Sequence, residues 1–342
     1  MNTGKAATRV ALDAMGGDYA PAATVEGAVE AARVYGIGVY LVGREEEIRA
    51  ELARYDTSGL DLPVVNTDEV IEMDEHPATA VRGKKRASMT LALELVRDGS
   101  AVAAVSAGNS GAMLAASIFA LKRIPGVDRP ALGGIMPTRD SVCLVIDMGA
   151  NVDCKPEYLQ QFALMGSIYM SRIFHINEPR IGLLSNGEEE TKGNQQVIEA
   201  HQLIKASAPT LGLNFIGNVE GRDIPAGKAD VVVCDGFVGN VVLKVSEGLG
   251  ENFLALVREQ MAGPPPNKVA GAILRPGLRK VFKRMDYAEY GGVPLLGVNG
   301  AAIVAHGRSN ARAIKNALRV ARETAETGVA AAIASDLAKL SK

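Results

Sequence analysis

The sequence has 342 residues, of which 47% are hydrophobic, and its formal net charge is -2. This length and composition allow a sizeable buried core, and we predict a single α/β domain over residues 1–342 because no linker separates two halves. A charge so close to zero gives no general attraction to nucleic acid, so no nucleic-acid partner is expected.

The cysteines and the apolar runs limit the compartment. Cys143, Cys154 and Cys234 are an odd number at irregular spacing, which favours a reducing compartment over a disulfide framework and does not fit a zinc site. No apolar run approaches the ~20 residues of a membrane-spanning helix, and the N-terminus has no signal core. We therefore expect a cytoplasmic protein, or one that lies on a membrane without crossing it.

The first strand is predicted at residues 10–12, and a loop with Gly16 and Gly17 flanked by the carboxylates of Asp13 and Asp18 follows it. Pro21 then suits the first turn of a helix. A helix at 157–173 is apolar on most sides, which predicts burial within the fold or at a subunit contact. Further strands are predicted at 39–42, 64–65, 101–105, 142–146, 181–184 and 215–216.

The stretch ADVVVCDGFVGNVVLKVSEGLG, residues 229–250, contains the clearest strand-loop-helix pattern. A β-branched run leads into Asp235 and Gly236, and valines then recur at helical spacing past Gly239 and Asn240. Helix N-terminal amides at such a junction favour ligand binding.

The alternation of strand and helix patterns predicts a mostly parallel sheet covered by helices. Small polar residues follow most of the strands. We therefore expect these residues to meet at one edge of the sheet and to form the active site there.

A polar run at residues 73–88 contains Arg82, Lys84, Lys85 and Arg86. It is either a solvated loop and helix start or a basic rim that faces an anionic substrate.

The segment at 263–292 departs from the alternation, because residues 263–285 combine an apolar stripe with basic residues and contain no acidic residue. Pro276 and Gly277 predict a break into two short helices, and we expect the segment to project from the α/β domain as a helical hairpin. A basic amphipathic helix is typical of contact with an anionic membrane surface, and a core-facing helix with solvated cations is the alternative. The predicted membrane-contact residues are Ile273, Leu274, Leu278, Val281 and Phe282.

Towards the C-terminus, residues 294–300 predict a Gly and Asn turn that includes Asn299. A short strand at 302–305 ends at His306, and an amphipathic helix is predicted at 310–340. His306 alone among the four histidines follows a strand, although a structural histidine is the alternative.

Established nucleotide-binding motifs and common hydrolase motifs are absent from the sequence. There is no GxGxxG fingerprint after a strand, no phosphate-binding P-loop, no GxSxG and no HExxH. Residues 187–194, GEEETKGN, could be an ordinary helix N-terminus, and Lys192 within them is either a surface lysine or a substrate contact.

Several long motifs resemble the bacterial phosphate acyltransferase family, PlsX. They are LDAMGGDYAP at 12–21, VSAGNSGA at 105–112, DMGANVDCKPEYLQQFALMG at 147–166, GLLSNGEEETKGN at 182–194, NFIGNVEGRDI at 214–224, ADVVVCDGFVGNVVLK at 229–244 and YGGVPLLGVNGAAIVAHG at 290–307. Ser110 and the pair Ser185-Asn186 depart from the family pattern without removing an expected functional group.

The resemblance implies an enzyme that makes acyl-phosphate from acyl-acyl-carrier protein and inorganic phosphate for phospholipid synthesis. It implies a three-layer Rossmann-like sheet similar to phosphotransacetylases and isocitrate dehydrogenases, a homodimer, peripheral membrane association, and neither metal nor nucleotide cofactor. The acyl-phosphate would pass to an acyl-phosphate:glycerol-3-phosphate acyltransferase. Lys192, Asn240 and His306 lie in the motifs carried over as active-site positions.

Phosphate is itself a nucleophile, so the expected task of the protein is to hold phosphate beside a thioester and to stabilise the oxyanion. Asn109 and Asn240 are assigned to phosphate or the oxyanion and His306 to proton management, whereas Asp13, Asp18 and Asp235 are expected to orient loops. The predicted phosphate-binding set is Gly16, Gly17, Asn109, Ser110, Asn194, Gly239 and Asn299.

Three alternatives remain open at this stage. Cys154 or Cys234 could carry the acyl group covalently. The chain could also be a nicotinamide-dependent dehydrogenase of the isocitrate class, or a non-catalytic scaffold at a membrane surface.

Overall fold

The computed structural model describes residues 8–285 and 289–339 of the chain. Within these ranges the strands are β1 Arg9–Asp13, β2 Gly38–Gly43, β3 Val64–Asn66, β4 Ala103–Ser106, β5 Ala131–Pro137, β6 Val142–Ile146, β7 Arg180–Leu184, β8 Asn214–Val219, β9 Val231–Val233, β10 Val293–Leu296 and β11 Ala301–Val304. The helices are α1 Ala22–Tyr35, α2 Glu45–Leu52, α3 Pro77–Gly83, α4 Ser88–Arg97, α5 Ser110–Ala120, α6 Pro156–Phe174, α7 Gln195–Leu211, α8 Asp223–Ala226, α9 Gly236–Met261, α10 Pro265–Met285, α11 Ala311–Glu326 and α12 Val329–Leu337.

The strands form one continuous sheet in the order β3-β2-β1-β4-β11-β10-β5-β6-β9-β7-β8. The first five of these strands are mutually parallel, and so are the last four. Between the two parallel blocks, three successive antiparallel pairings link β11, β10, β5 and β6. The prediction of a mixed α/β fold with a mostly parallel sheet is confirmed. Because three antiparallel steps reverse the direction, however, the two blocks run in opposite directions.

The inner strands of the sheet are buried on both faces, which explains their nearly continuous apolar sequences, whereas the edge strands β3 and β8 are partly exposed. In β1, Val10 and Leu12 pack on the side of α1 and α11, whereas Ala11 between them packs into the apolar cluster on the other side. In the second block, Ile146 packs on the side of α6 and α7, and Val145 packs on the opposite side. Helix α6 has eleven buried residues, so the prediction of a buried helix there is confirmed.

Helices α9 and α10 pack against each other as a helical hairpin. The segment predicted at 263–292 falls mainly on α10, and its residues 286–288 lie outside the described ranges. The predicted break at Pro276 is wrong, because α10 continues through it. The proline removes one backbone hydrogen bond, and the carbonyl group of Ala272, one turn earlier on an exposed residue, can bind water instead.

Two further predictions about the second half of the chain are wrong. Residues predicted as a turn contain strand β10, in which Pro294 pairs with Ile303 of β11. Proline is tolerated there because it lies next to the beginning of a four-residue strand. The predicted long C-terminal helix is divided at Gly328, whose φ of 66° ends α11 and begins α12.

Candidate active site

The loops after β1, β4 and β11 form a first loop cluster, which we define as residues 13–18, 106–110 and 305–309. Its centre is the carboxylate of Asp13, which accepts a 2.7 Å hydrogen bond from the hydroxyl group of Ser106. Ser106 Oγ accepts in turn from the backbone N–H of Gly108. Burial raises the pKa of Asp13 above its usual range, and the nearby hydroxyl groups of Ser88 and Ser106 oppose this rise.

Gly16 and Gly17 are required by close packing within this cluster. A Cβ atom on Gly16 would lie 2.6 Å from a carboxylate oxygen of Asp13 and 2.7 Å from the backbone nitrogen of Gly108. Gly17 has a φ of 104°, and a Cβ atom there would approach the carbonyl oxygen of Gly307 to 3.1 Å. Both glycines therefore have a structural role, and their predicted contact with phosphate stays a prediction.

His306 and Gly307 join the first loop cluster at the end of β11. The backbone N–H of Asp18 donates to the carbonyl oxygen of Gly307 over 2.8 Å, whereas the side chain of Asp18 is exposed. His306 Nδ1 accepts a hydrogen bond from the backbone N–H of Arg308. A neutral His306 therefore carries its proton on Nε2, where it is a donor.

Asn109 is the N-cap of α5, and its side chain is fully engaged. Its oxygen accepts from the backbone N–H of Ala112, and its amide nitrogen donates to the carbonyl oxygens of Met73 and Glu75. Ser110, the first residue of α5, is exposed. The structure thus gives Asn109 a capping and loop-anchoring role, and phosphate binding by Asn109 and Ser110 stays a prediction.

The loops after β6, β9 and β7 form a second loop cluster, which we define as residues 147–151, 185–194 and 234–240. Its centre is Asp147, which is 0% exposed. One carboxylate oxygen accepts from the backbone N–H groups of Leu132, Gly149 and Ala150, and the other accepts from the backbone and side-chain nitrogens of Asn151. Burial raises the pKa of Asp147, and these donors oppose the rise.

The first turn of α9 packs directly on this loop. The backbone N–H of Gly236 donates to the carbonyl oxygen of Asn151 over 2.7 Å. A Cβ atom on Gly239 would lie only 1.9 Å from the carbonyl oxygen of Asp147, so no larger residue fits there. Asp235 is the N-cap of the helix, and its side chain accepts from the backbone N–H of Val238.

Asn240 is exposed on the first turn of α9, and its side chain lies beside Gly149, 3.7 Å from the position of a Cβ atom there. Lys192 is also exposed, and its aliphatic carbons cover the backbone of Gly187. Asn194, at the end of the same loop, caps α7 by accepting from the backbone N–H of Val197. Strands β6, β9 and β7 are neighbours in register, so Lys192 and Asn240 extend from adjacent strand ends.

The prediction of one common edge is wrong. Lys192 and Asn240 follow strands of the second block, whereas His306 follows a strand of the first block, and the two blocks run in opposite directions. Asn299 lies at the beginning of β11 and donates to the carbonyl oxygen of Arg123, at the opposite end of that strand from His306. The loop of His306 contacts α9 through an ion pair, in which a guanidinium nitrogen of Arg308 lies 4.0 Å from a carboxylate oxygen of Glu251.

The cysteines are unsuited to the covalent alternative. Cys143 and Cys234 are buried, and Cys154 is half-buried. Burial raises the pKa of Cys154 to about 12 and raises the pKa of Cys234 well above its usual value. A thiol with so high a pKa has almost no thiolate at neutral pH, and the thiolate is the nucleophile.

The predicted membrane-contact residues lie on α10. Ile273, Leu274 and Val281 are 74%, 58% and 49% exposed, Leu278 is half-buried, and the side chain of Phe282 lies outside what the structure describes. In residues 8–285 and 289–339, no helix combines the length and the apolar character needed to cross a membrane. The same residues contain no group of three His, Cys, Asp or Glu side chains arranged to hold a metal ion.

Sequence reasoning assigned no role to Asp147 or Ser106, which organise the two loop clusters. The available signal was an acidic or hydroxyl residue directly after an apolar strand. Because several strands end in this way, the pattern alone could not show which side chain would be buried.

The fold is similar to that of several solved enzymes. A phosphotransacetylase from Streptococcus pyogenes matches with a TM-score of 0.62 and 18% identity, over 98% of this chain and 94% of that one. EutD phosphotransacetylase from Staphylococcus aureus gives 0.61 and 17%, over 93% and 94%. A 4-hydroxythreonine-4-phosphate dehydrogenase from Klebsiella pneumoniae gives 0.53 and 14%, over 94% and 98%. These similarities confirm the expected fold class and, at such identities, show the fold alone.

Sequence comparison is more specific. Residues 8–332 match a family model described as "Fatty acid synthesis protein". Phosphate acyltransferase from Pelotomaculum thermopropionicum is 52% identical, over 93% of this chain and 92% of its own length. Phosphate acyltransferase from Geobacter sulfurreducens is 51% identical, over 94% and 92%. The chain belongs to the phosphate acyltransferase family, PlsX, and is therefore an acyltransferase.

Proposed function

We propose that this enzyme transfers a fatty acyl group from acyl-acyl-carrier protein to inorganic phosphate and forms acyl-phosphate for phospholipid synthesis. The family supports acyl transfer to phosphate. The observation that carries the proposal is the exposed ammonium group of Lys192, in the loop after β7, whose neighbouring strand β9 leads into α9. Among the described residues, this ammonium group has no ion pair and no hydrogen-bond partner.

Two of the three negative charges that precede Lys192 are paired with other cations. Three glutamates precede it in its loop, but Glu188 pairs with Lys228 at 2.8 Å and Glu190 pairs with Lys205 at 2.5 Å. Both carboxylates therefore have their own counter-charges. Glu189 has no ion pair among the described residues, and its carboxylate packs over Gly187 beside the stem of Lys192. In the first turn of α9, the N–H groups of Gly236 and Val238 donate within the protein, which leaves that of Phe237. This N–H group, at the positive end of a 26-residue helix, and the cation of Lys192 remain available to a phosphate group.

In the proposed reaction, a phosphate oxygen attacks the carbonyl carbon of the thioester. The new C–O bond forms, a tetrahedral oxyanion develops, and the C–S bond then breaks so that the carrier thiolate leaves and is protonated. Lys192 neutralises phosphate, and Asn240 donates to phosphate or to the oxyanion. A thiol with a pKa of ~8.5 leaves readily, so the reaction demands little of a general acid.

His306 is proposed to donate a hydrogen bond from its Nε2–H group to the departing sulfur, and the thiolate then takes its proton from solvent. This role requires that the first loop cluster faces the second one across the substrate, in the same chain or between two chains. Helix α9 links the two regions, because it begins in the second loop cluster and contacts Arg308 through Glu251, about 22 Å further along its axis.

A homodimer is proposed from the surface of α9. An apolar stripe recurs along it every three or four residues, so its members share one helix face. These residues are between 47% and 65% exposed, which is unusual for a monomer. A second copy of the chain is the proposed partner that covers them. The stripe consists of Val241, Val245, Leu249, Phe253 and Leu256.

We also propose that the protein is cytoplasmic and that α10 makes peripheral contact with an anionic membrane. The exposed apolar residues of α10 and its lack of acidic residues support this contact. Replacing Leu278 and Phe282 with Asp should abolish cosedimentation with vesicles that contain anionic lipid. Unchanged sedimentation of the folded variant would contradict the contact.

An acyl-phosphate:glycerol-3-phosphate acyltransferase is the proposed consumer of the product.

The reaction can be tested with purified enzyme, hexadecanoyl-acyl-carrier protein and inorganic phosphate. We expect release of carrier thiol that depends on phosphate, together with an acyl-phosphate that hydroxylamine traps as the hydroxamate. Thiol release without phosphate, or no release at all, would contradict the proposal. A scaffold would give no release, and a dehydrogenase would instead be stabilised against heat by a nicotinamide cofactor.

A further inference from the structure

A buried pair of polar side chains lies beneath the turn that carries Lys192. Asn218, near the end of β8, is 4% exposed, and His201 of α7 is 2% exposed. The mechanism proposed above uses neither of them. Buried polar side chains are costly unless hydrogen bonds satisfy them, so their partners indicate what they do.

A β-bulge directs Asn218 toward His201. Ile181 of β7 pairs with Phe215, but the next residue, Gly182, pairs with Gly217, so β8 has one extra residue between them. The extra residue shifts the alternation, and Phe215 and Asn218 therefore contact the same face of the sheet. The ring of His201 lies 5.1 Å from the ring of Phe215 in an edge-to-face arrangement.

Hydrogen bonds connect this pair to the backbone of Lys192. His201 Nδ1 lies 2.9 Å from the side-chain oxygen of Asn218, and the amide nitrogen of Asn218 donates to the carbonyl oxygen of Glu189 over 2.8 Å. The same carbonyl oxygen accepts the backbone N–H of Lys192 over 3.0 Å. Because the amide nitrogen of Asn218 is engaged with a carbonyl, its oxygen faces His201, which must carry its proton on Nδ1.

We propose that His201 and Asn218 are positioning residues that hold the turn at residues 189–192, so that the ammonium group of Lys192 lies where phosphate binds. The inference rests on the proposed role of Lys192. A lysine side chain has many rotamers, so its charge is useful at a defined point only if its backbone is fixed. The stem of Lys192 packs on Gly187, and the buried pair fixes the carbonyl that closes the turn.

The test uses steady-state kinetics of the full-length enzyme with inorganic phosphate and hexadecanoyl-acyl-carrier protein. Asn218→Ala and His201→Leu should raise KM for phosphate about tenfold, with KM for the acyl donor changed less than twofold. Loss of folded enzyme would lower kcat and leave both KM values unchanged. His201→Asn should restore most of the phosphate affinity, because its amide nitrogen, like Nδ1, is bonded to Cγ and can donate to Asn218.

Asn214→Ala is the matched control, since Asn214 lies in the same strand and donates to the carbonyl oxygen of Glu178, away from the turn. We expect its kinetics to equal those of the wild type. If Asn218→Ala does not fold, the comparison of His201→Leu with His201→Asn decides the question. Equal KM for phosphate in His201→Leu and wild type would overturn the proposal.

A double variant separates this inference from the proposed function. Once Lys192 is replaced with Ala, the further change Asn218→Ala should lower kcat/KM for phosphate less than twofold, because the group it positions is gone. Multiplying effects would show that Asn218 acts independently of Lys192 and would overturn the inference. If Lys192→Ala alone has no effect, the role of Lys192 fails, and that result is recognisable before any variant of Asn218 is made.

Discussion

The two loop clusters are each built around one buried aspartate, but the donors around the two carboxylates differ. Asp13 in the first loop cluster accepts from the hydroxyl group of Ser106 and from the backbone N–H of Met15. Asp147 in the second loop cluster accepts from five N–H groups, four of them from the backbone. A hydroxyl group can rotate to donate or accept, whereas a backbone N–H can only donate.

The clusters also differ in what they leave exposed. Asn109 of the first loop cluster uses its whole side chain on the protein itself. The second loop cluster has a rigid base at Asp147 and Gly239. Asn240 is exposed beside that base, and Lys192 is exposed in the loop after the adjacent strand β7. An anion-binding site needs a hydrogen-bond donor and an accessible charge together, and in the second loop cluster the exposed side chains of Asn240 and Lys192 offer these two groups.

Replacing Lys192 with Ala gives the largest effect expected from this comparison. Lys192→Ala should lower kcat/KM for phosphate by about 10²–10³-fold, because a pre-oriented charge next to phosphate is lost. Lys339→Ala, at an exposed lysine that pairs with Asp336 after α12, is the control and should keep wild-type activity. Phosphate-dependent thiol release gives both values. Near-wild-type activity of Lys192→Ala would move the phosphate site away from the second loop cluster.

Much of the local structure could be predicted because each strand and loop is encoded by adjacent residues. The stretch at 229–250 has a β-branched run, an Asp cap and helical spacing, and it forms β9 followed by α9. Its predicted polar junction became part of the second loop cluster. The separation of His306 from Lys192 could not be predicted in this way. It depends on the antiparallel strands β10 and β5, whose pairing is a long-range property.

The buried anchors were also beyond local reasoning. Asp147 and Asp13 both follow apolar strands, and only the assembled fold shows that one meets five N–H donors and the other a hydroxyl group. The break predicted at Pro276 was wrong for a different reason, because a local preference was given too much weight. Proline disfavours a helix interior locally, and the continuous helix α10 shows that this preference was outweighed.

Gly239→Ala tests the packing of α9 on the second loop cluster. A methyl group there would meet the carbonyl oxygen of Asp147 at 1.9 Å, so we expect a loss of ~3 kcal/mol in the free energy of unfolding. Gly250→Ala in the same helix has open space around its Cβ position and should gain up to ~1 kcal/mol. Urea unfolding measures both variants. Equal stability of the two would show that the first turn of α9 is not tightly packed on Asp147.

Asparagine at each buried aspartate compares the two carboxylates directly. In Asp147→Asn, the amide nitrogen replaces one acceptor and leaves at least two N–H donors unsatisfied, which should cost ~2 kcal/mol of unfolding free energy. In Asp13→Asn, the hydroxyl group of Ser106 can rotate and accept instead, so the cost should stay below ~1 kcal/mol. Urea unfolding at pH 7 gives the difference. A larger loss of unfolding free energy in Asp13→Asn than in Asp147→Asn would show that the first loop cluster, and not the second, is the more rigid one.

The pH dependence of stability gives the most specific effect. Burial raises the pKa of Asp13 above its ordinary value of 3.8. The folded state therefore favours the protonated carboxyl group, and this contribution is complete below the ordinary pKa and is lost as pH rises through the folded pKa. Relative to Asp13→Asn, the wild type should lose up to about 1.4 kcal/mol per pH unit within that window and should change little outside it. Urea unfolding of both proteins from pH 4 upward measures the difference, in which the unchanged Asp147 cancels. A constant difference across the whole range would show that Asp13 has the same pKa in the folded and unfolded chain, and that its site is better solvated than its burial implies.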